Sequence, residues 1–453
     1  MTPRLQHQAE EAATSPRSRR ALLAGSVGNF IEWYEFGVYG YFATIIAANF
    51  FTPDGGSDAE GLVKTYASFA LAFFFRPIGA AFFGRLGDRM GRRPVLIIVI
   101  LLMTGATTLI GVLPTYATVG AAAPWLLTLL RIVQGLSAGG EFGGAVSIMT
   151  EFAPRGRRGL YGSWQSFTVA LGLLAGAGIA AVLAGALSEV QLHDWGWRLP
   201  FLLTLPLGLI ALWLRLKLEE TPSFRRARGE KAPSPTPEAA AKQAGAGTPA
   251  PPAPVREQAR AIALGAGRLM GWSAAGYTFL VVLPSYLQNT LDATFQQALV
   301  ATVLANLGFA ASIIPAGVLS DRVGRRAVMT AGAVLVALLA FPLMHVLQDS
   351  GASTTAKGVA VFVAGAVVGL MAGPGPAMLA EMFPTSARYT GLGLAYSLSN
   401  AVFSGCAGLI ITEVIERTGN IDIPAYYVVV TCVVSAVALL TLRGDDHRRA
   451  LRD

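Results

Sequence analysis

Two acidic residues lie inside an apolar stretch near the start of the chain, in the segment GNFIEWYEFGVYGYF (residues 28–42). At about 100° per residue, a helix would place Asn29, Glu32 and Glu35 within an arc of about 120°, and Tyr39 falls in the same arc. Two carboxylates this close repel each other, so the pair is suited to taking up and releasing a proton. We predict that Glu32 and Glu35 couple protons and that Asn29 and Tyr39 contact a substrate. The alternative is that one acid is paired permanently with an arginine.

Arg131 and Glu141 form a second candidate group, in the apolar segment RIVQGLSAGGEFGG (residues 131–144). On a continuous helix, both would share an arc of about 80° with Gln134. An arginine that faces the interior of a helix bundle in a membrane needs an anionic partner or an anionic substrate. We predict that Arg131 and Glu141 take part in proton coupling. The glycines around Glu141 also permit close helix packing around a structural salt bridge, and both interpretations stay open.

Arg76 and Arg268 also lie within apolar stretches. A charged side chain near the middle of a bilayer costs at least about 2.5 kcal/mol on insertion scales, so it is a candidate functional residue. Arginine is the natural partner of a carboxylate, because its planar guanidinium can donate two parallel hydrogen bonds. We predict that both arginines contact the substrate and that Arg268 faces the cavity from the second half of the chain. Ion pairing of Arg268 with Glu32 or Glu35 is the alternative.

Uncharged polar and aromatic residues within the apolar stretches complete the predicted site. Aromatic rings suit cationic ammonium groups, because the face of the ring carries negative charge. We predict substrate contacts for Trp164, Gln165 and Asn400. Simple packing is the alternative for each of them, and for Tyr277 and Asn306.

These residues must be positioned by membrane-spanning helices. Apolar residues make up 53% of the 453-residue chain and charged residues only 14%, against roughly 25% in soluble proteins. The apolar residues come in runs that match a hydrocarbon core of about 30 Å crossed at about 1.5 Å per residue. We predict an all-α membrane protein with twelve spans, at residues 21–50, 61–86, 93–113, 122–151, 158–187, 197–217, 258–290, 295–320, 327–348, 355–381, 388–416 and 424–442.

A repeated sequence indicates that the chain consists of two like halves. GRLGDRMGRRPV (residues 84–95) returns as GVLSDRVGRRAV (residues 317–328), with eight of twelve positions identical. A repeat of six helices plus six is typical of secondary transporters, whose substrate lies between the repeats. We predict a tail at residues 1–20, six-helix bundles at 21–218 and 257–443, a Pro/Ala-rich cytosolic linker at 219–256 and a tail at 444–453.

The distribution of basic residues predicts the orientation. Of the 35 Lys and Arg, 28 fall on the side of the tails and the linker, four fall on the other side and three lie within spans. The positive-inside rule then places both termini in the cytosol. The net charge of +8 therefore does not indicate nucleic-acid binding. We expect a lipid bilayer and a small molecule as partners, no metal, and no cofactor apart from protons as the coupling ion.

On these motifs, the chain resembles transporters of the major facilitator superfamily. GRLGDRMGRRP resembles the superfamily signature between helices 2 and 3, and RIVQG (residues 131–135) resembles its helix 4 motif. GNFIEWYEFGVYGYF, FFFRPIGAAFFGRLGDRMGRRP, RIVQGLSAGGEFGG, GWRLPF and LEETPSF resemble the metabolite:proton symporters. That family includes carriers of 2-oxoglutarate, citrate, shikimate, proline and glycine betaine. The similarity runs from about residue 20 to 443 and implies a major facilitator fold of two six-helix halves related by a pseudo-two-fold axis.

The resemblance implies roles for matching residues. Arg131 is similar to the coupling arginine, and Glu32 and Glu35 are similar to the helix 1 acids, although the family usually has Asp at the second position. An aspartate of the cytosolic gate meets a helix end of the opposite half in this superfamily. The gate residues implied here form two groups: Asp88, Arg89 and Arg92, and Asp321, Arg322 and Arg325.

The residues and the resemblance together predict a monomeric, proton-coupled importer in the plasma (bacterial inner) membrane that works by alternating access. Because of Arg268, the expected substrate is a small organic carboxylate such as a dicarboxylate. A zwitterionic osmolyte such as proline or glycine betaine is the alternative. An efflux antiporter of the same fold is disfavoured by the dense charge of the predicted cavity. No catalytic motif favours an enzyme, and no folded cytosolic domain favours a receptor.

Overall fold

The computed structural model describes residues 16–52, 57–90, 92–151, 153, 154, 156–217, 255–383 and 385–444. All regular secondary structure in these residues is helical. The predicted linker and most of both predicted tails lie outside the described residues, so their boundaries stay predictions.

Twelve long helices, α1 to α12, follow one another along the chain. Six of them contain turns or π-helical segments and continue beyond them. Their bounds are α1 (Pro16–Tyr41, Ala43–Ile46 and Ala47–Phe51), α2 (Asp58–Met90), α3 (Arg92–Val112), α4 (Ala122–Ala138 and Phe142–Glu151), α5 (Arg158–Ala186), α6 (Arg198–Leu202 and Thr204–Leu216), α7 (Val255–Tyr277, Thr278–Val282 and Leu283–Leu291), α8 (Phe295–Val323), α9 (Arg325–Gln348), α10 (Thr354–Ala372 and Gly375–Met382), α11 (Thr385–Ser399, Asn400–Gly405 and Ala407–Thr418) and α12 (Ile423–Leu440).

Nine stretches of the described residues are long and apolar enough to cross a membrane, judged by length and composition. They belong to α2, α3, α5, α6 and α8 to α12. The other three helices carry buried ionisable residues, Glu32 in α1, Arg131 in α4 and Arg268 in α7, which lower their hydropathy. α4 is also interrupted by a turn at residues 139–141.

Helix packing in the first half is repeated in the second. α1 packs on α5, α2 on α4 and α3 on α6, and the equivalent pairs are α7 with α11, α8 with α10 and α9 with α12. Between the halves, α2 packs on α11 and α5 packs on α8. A shift of six helices turns the α2–α11 contact into the α8–α5 contact. The halves are therefore related by a pseudo-two-fold axis.

Glycines allow the paired helices to approach backbone to backbone. A Cβ atom on Gly135 of α4 would lie 1.9 Å from the Ala72 carbonyl oxygen of α2. The equivalent contact in the second half is Gly365 of α10, where a Cβ atom would lie 1.8 Å from the Ala305 carbonyl oxygen of α8. Small residues at such contacts are the main device for packing helices in lipid, where apolar side chains gain little from association.

The halves touch at both ends of the bundle. We call the end predicted to face the cytosol the inner end and the opposite one the outer end. At the inner end, the backbone N–H groups of Gly159 and Leu160 at the start of α5 donate to the Asp321 carboxylate at the end of α8, at 2.8 and 2.9 Å. At the outer end, the hydroxyls of Tyr66 in α2 and Ser285 in α7 are 2.7 Å apart. The halves therefore meet on both sides of the space between them.

Candidate functional site

A cavity lies between the two halves. Its wall is largely aromatic and includes Trp33 of α1, Trp272 and Tyr277 of α7 and Tyr396 of α11. All of its lining residues among those described are uncharged. A neutral, aromatic cavity can take a cationic group by cation–π contact.

Polar groups on α7 and α11 border the same cavity. Asn400, in the π-helical segment of α11, donates to the Tyr396 carbonyl at 2.9 Å and accepts from the Ser404 hydroxyl at 3.0 Å. The hydroxyls of Ser273 and Ser399 are 3.0 Å apart. π-helical segments often mark functional sites, because the extra residue turns backbone and side-chain groups out of the regular pattern. Of the predicted substrate contacts, Asn400 is the one that lines the cavity.

Glu32 and Arg76 form a buried ion pair beside the cavity. Nη2 of Arg76 is 3.1 Å from Oε1 of Glu32. The guanidinium carbon lies 4.3 Å from the Phe36 ring centroid and 4.2 Å from that of Phe73. A buried charge is tolerated when it is paired, and the aromatic faces add cation–π stabilisation. The pair joins α1 to α2, which places the predicted acid and the predicted arginine together.

Arg131 of α4 contacts aromatic rings through its guanidinium group. Its guanidinium carbon is 4.1 Å from the Tyr39 ring centroid, and Nη1 donates to Oε1 of Gln134 at 2.6 Å. Gln134 in turn donates to the Thr107 hydroxyl at 2.5 Å. Nε and Nη2 of Arg131 have no hydrogen-bond acceptor in the part of the chain that the structure describes.

Glu35 is the acid of this group whose carboxyl oxygens both lack hydrogen-bond donors among the described residues. Only 1% of the residue is exposed, and neither carboxyl oxygen makes a hydrogen bond of good geometry to any described residue. Thr107 lies beside it, but the Thr107 hydroxyl hydrogen is directed at the Met103 carbonyl, at 3.0 Å. A carboxylate buried without donors is costly unless a cation or a proton neutralises it.

Glu141 is ion-paired with Arg215 of α6, a residue that sequence reasoning missed. The turn at residues 139–141 takes Glu141 out of the helical register assumed for it, and its carboxylate contacts Nη2 of Arg215. Nη1 of Arg215 donates to the Leu96 carbonyl at 2.6 Å. A Cβ atom on Gly28 of α1 would collide with both charged groups. The structure therefore shows the salt-bridge alternative for Glu141, and the available signal was a basic residue at the end of an apolar span.

Asn29, Tyr39 and Gln165 connect helices of the first half and do not line the cavity. Asn29 donates to the Thr168 hydroxyl at 2.6 Å and to the Gln165 carbonyl at 3.2 Å. The hydroxyls of Tyr39 and Ser68 are 2.5 Å apart. These side chains tie α1 to α5 and to α2, which positions Glu32 and Glu35 between the three helices.

Two predicted substrate contacts lie away from the cavity. Arg268 donates to the Thr441 hydroxyl at 2.8 Å and makes a longer contact with the Ala438 carbonyl at 3.4 Å, both at the inner end of α12. The expectation that it faces the cavity is wrong, because side chains on a helix point toward its N-terminus, which for α7 is the inner end. Trp164 is 45% exposed on the outside of α5, and its indole N–H donates to Ser26 at 3.3 Å.

The predicted gate residues are described only in the second half. Asp321 receives the α5 amides and also contacts Nη1 of Arg325 at 2.7 Å. Glu381 links Nη2 of Arg325 and Nη1 of Arg158, each at 3.1 Å. Arg322 is exposed. The side chains of the other three residues implied as a gate lie outside the described residues: Asp88, Arg89 and Arg92.

Four aromatic residues of the cavity wall were not singled out from the sequence, namely Trp33, Trp272, Phe309 and Tyr396. Each lies in a predicted span, where aromatic residues are common as packing. Their juxtaposition depends on four helices from both halves, which a single sequence does not encode locally.

Sequence comparison places the chain among known transporters. It matches the family described as "Sugar (and other) transporter" over residues 21–443. The chain belongs to this family. Within the family, it is 34% identical over 432 residues to the proline/betaine transporter of Escherichia coli (strain K12), covering 95% of this chain and 84% of that protein. It is 33% identical over 443 residues to the ectoine/proline transporter ProP of Corynebacterium glutamicum, covering 96% and 86%.

Solved structures confirm the predicted all-α major facilitator fold of twelve helices in two halves. The proton:xylose symporter XylE bound to 6-bromo-6-deoxy-D-glucose matches this chain with a TM-score of 0.74 at 19% identity, covering 93% of this chain and 94% of that one. The partially occluded inward-open form of XylE from E. coli gives a TM-score of 0.70 and covers 93% and 97%. The expectation of a dicarboxylate substrate gains no support from any of these relatives.

Proposed function

We propose that the protein is a proton-coupled symporter of a small zwitterion that carries a quaternary or secondary ammonium group, such as glycine betaine or proline. The observation that carries this proposal is the neutral aromatic cavity beside a buried cluster of acids and arginines. The names of the similar transporters, which include proline, betaine and ectoine, agree with it.

The chemistry of the cavity favours a zwitterion over a dicarboxylate. A net-neutral ligand needs no compensating charge on the wall, and close cation–π contacts with its ammonium group contribute about 1–2 kcal/mol each when water is excluded. A dicarboxylate would instead require cations, and no charged residue lines the cavity in the described parts of the chain. Arg268, the residue on which that expectation rested, is directed at α12.

We propose that protons are the coupling ion and that the helix 1 acids carry them. Glu32 and Glu35 lie on the same helix as Trp33, which forms part of the cavity wall. Substrate and proton sites on one helix can be coupled through small movements of that helix during alternating access. One chain supplies the cavity and the charge cluster, so we propose a monomer in the plasma membrane with both termini in the cytosol.

Ligand binding to the purified protein tests the proposed substrate class. In a thermal-shift comparison, we expect glycine betaine or proline to raise the melting temperature and 2-oxoglutarate and citrate to leave it unchanged. Trp272→Ala should raise the Kd of the zwitterion about tenfold or more. The substitution removes one aromatic side chain of the cavity wall, whose cation–π contact contributes more than about 1 kcal/mol. Trp125→Ala is the matched control, since Trp125 is 76% exposed on α4. Stabilisation by the dicarboxylates alone would contradict the proposal.

A further inference from the structure

The Glu32–Arg76 ion pair lies directly behind one wall of the cavity. Trp33 and Tyr277 belong to this wall, and their ring centroids are 6.1 Å apart. The guanidinium carbon of Arg76 is 5.6 Å from the Trp33 ring centroid and 4.2 Å from that of Phe73. Phe73 also contacts the Tyr277 ring, at 5.4 Å between centroids. A single layer of aromatic side chains therefore separates the ion pair from the cavity.

Hydrogen-bond donors at this wall lack acceptors among the described residues. The Tyr277 hydroxyl makes no hydrogen bond there, although the residue is only 4% exposed. Nε and Nη2 of Arg76 also make none of good geometry, even though Nη2 is within ion-pair distance of Glu32. Buried donors are normally satisfied, so the wall favours a ligand that brings an acceptor oxygen.

We propose that this wall binds the carboxylate of the zwitterion. The carboxylate replaces Glu32 as the ion-pair partner of Arg76, and Glu32 becomes protonated. The inference rests on the proposed function, because it takes the proposed zwitterion as the ligand. Tyr277 donates its hydroxyl hydrogen to one carboxylate oxygen. The Trp33 side chain turns aside in the bound state, and the guanidinium of Arg76 then donates to the other oxygen. The ammonium group then lies toward Trp272 and Tyr396. The proton comes from a hydronium ion of the surrounding solvent, which leaves a water molecule behind.

The surroundings of Glu32 make the proton necessary. Arg215 is already held by Glu141, and the guanidinium of Arg131 packs on the Tyr39 ring and donates to Gln134. Among the described residues, Arg76 is therefore the cation paired with Glu32, and a buried carboxylate that loses its partner is unfavourable. The charged and titratable groups that act on Glu32 or its neighbours come from six helices: Glu35 on α1, Arg76 on α2, Arg131 and Glu141 on α4, Arg215 on α6, Tyr277 on α7 and Tyr396 on α11.

This change of ion-pair partner at Arg76 couples binding of the zwitterion to binding of the proton through direct contacts, with no conformational signal over a long distance. The carboxylate binds well only when Glu32 is neutral, and Glu32 accepts a proton readily only when the carboxylate has taken Arg76. Each ligand then strengthens the binding of the other by the same factor, as linkage requires. A zwitterion and a proton would consequently cross the membrane together.

The test is the pH dependence of equilibrium binding in detergent, measured by titration calorimetry with glycine betaine and with choline. Choline has the same trimethylammonium group and no carboxylate. For the wild type, we expect the Kd of glycine betaine to rise with pH, by up to about tenfold per unit for one linked proton. The Kd of choline should not change with pH. Glu32→Gln should bind glycine betaine tightly at every pH, with no proton uptake. Glu60→Gln, whose carboxylate pairs with the exposed Lys64, should behave as the wild type.

A second variant examines the wall itself without altering a charge. Tyr277→Phe removes one hydroxyl group and should weaken glycine betaine binding about tenfold, the value of one hydrogen bond to a charged group, while choline binding is unchanged. Tyr427→Phe is the control, because the Tyr427 hydroxyl donates to the Phe403 carbonyl at 2.7 Å in a contact away from the cavity.

The possible failures are distinguishable. If Glu32→Gln keeps the wild-type pH slope, or if choline shows the same slope as glycine betaine, the exchange is overturned while symport of a zwitterion stands. If no zwitterion binds at any pH, the proposed function itself is overturned and the inference falls with it.

Discussion

Glu35 differs from the other buried acids of the first half because it has no ion-pair partner in the described structure. Glu32 contacts Arg76, and Glu141 contacts Arg215. Glu35 lies about one helical turn from Glu32, toward the outer end of α1. A carboxyl group in this position can pass protons between the outer side and Glu32, as acids inside membrane bundles commonly do.

Replacing Glu35 should therefore separate proton delivery from substrate binding. We expect Glu35→Gln to slow gradient-driven uptake by roughly a hundredfold, the lower end of what a positioned proton-transfer group contributes. The pH dependence of glycine betaine affinity should remain, because Glu32 and Arg76 are intact. Initial uptake rates in vesicles and calorimetric binding, each measured across a pH series, check the two halves of this expectation. Wild-type uptake in the variant would exclude Glu35 from the proton path.

The contact of α5 with α8 joins the two halves at the inner end. A Cβ atom on Gly159 would lie 2.4 Å from the Gly317 carbonyl oxygen, so the two helices meet backbone to backbone there. The Asp321 carboxylate then accepts from the first amides of α5, where a helix N-terminus attracts negative charge. Opening of the inner end requires this contact to separate, whatever happens at the outer end.

A methyl group at Gly159 should hold the inner end open. In a background where Cys406 and Cys432 are replaced by serine, Ser273→Cys reports access to the cavity through its reaction with a water-soluble maleimide. We expect Gly159→Ala to speed labelling from the inner side several-fold, because the added carbon cannot fit against Gly317. Gly178→Ala on the same helix is the control, since no atom of the described residues lies within 4 Å of its added carbon. Equal labelling in both variants would show that α5 and α8 do not form the inner gate.

The two halves share one architecture and differ in what they contribute. Their helices pack in the same pairs, yet the buried acids and arginines next to the cavity lie in the first half. The second half supplies much of the cavity wall, including Trp272, Tyr277 and Tyr396. Under the proposed function, the substrate is held between the halves and the proton sites lie on one side of it.

The sequence alone was sufficient for the parts that depend on local pattern. Apolar runs mark the spans, the repeat of residues 84–95 marks the duplication, and Glu32 and Arg76 are visible because charge is rare in such runs. What it lacked was the rotation of each helix and the direction of each side chain. Arg268 lies at the expected position along α7, but its side chain is directed toward the inner end of the bundle, where it contacts Thr441. Arg215 was counted among the basic residues on the cytosolic side, whereas it is 2% exposed and paired with Glu141.

Accumulation by reconstituted protein tests the central claim most directly. Purified protein in proteoliposomes should concentrate labelled glycine betaine or proline when an inward proton gradient is imposed, because each proton moving down a potential contributes about 2.3 kcal/mol per 100 mV. A protonophore should reduce the internal concentration to that outside. Uptake that is indifferent to the protonophore, or accumulation of a dicarboxylate in place of the zwitterions, would contradict the account.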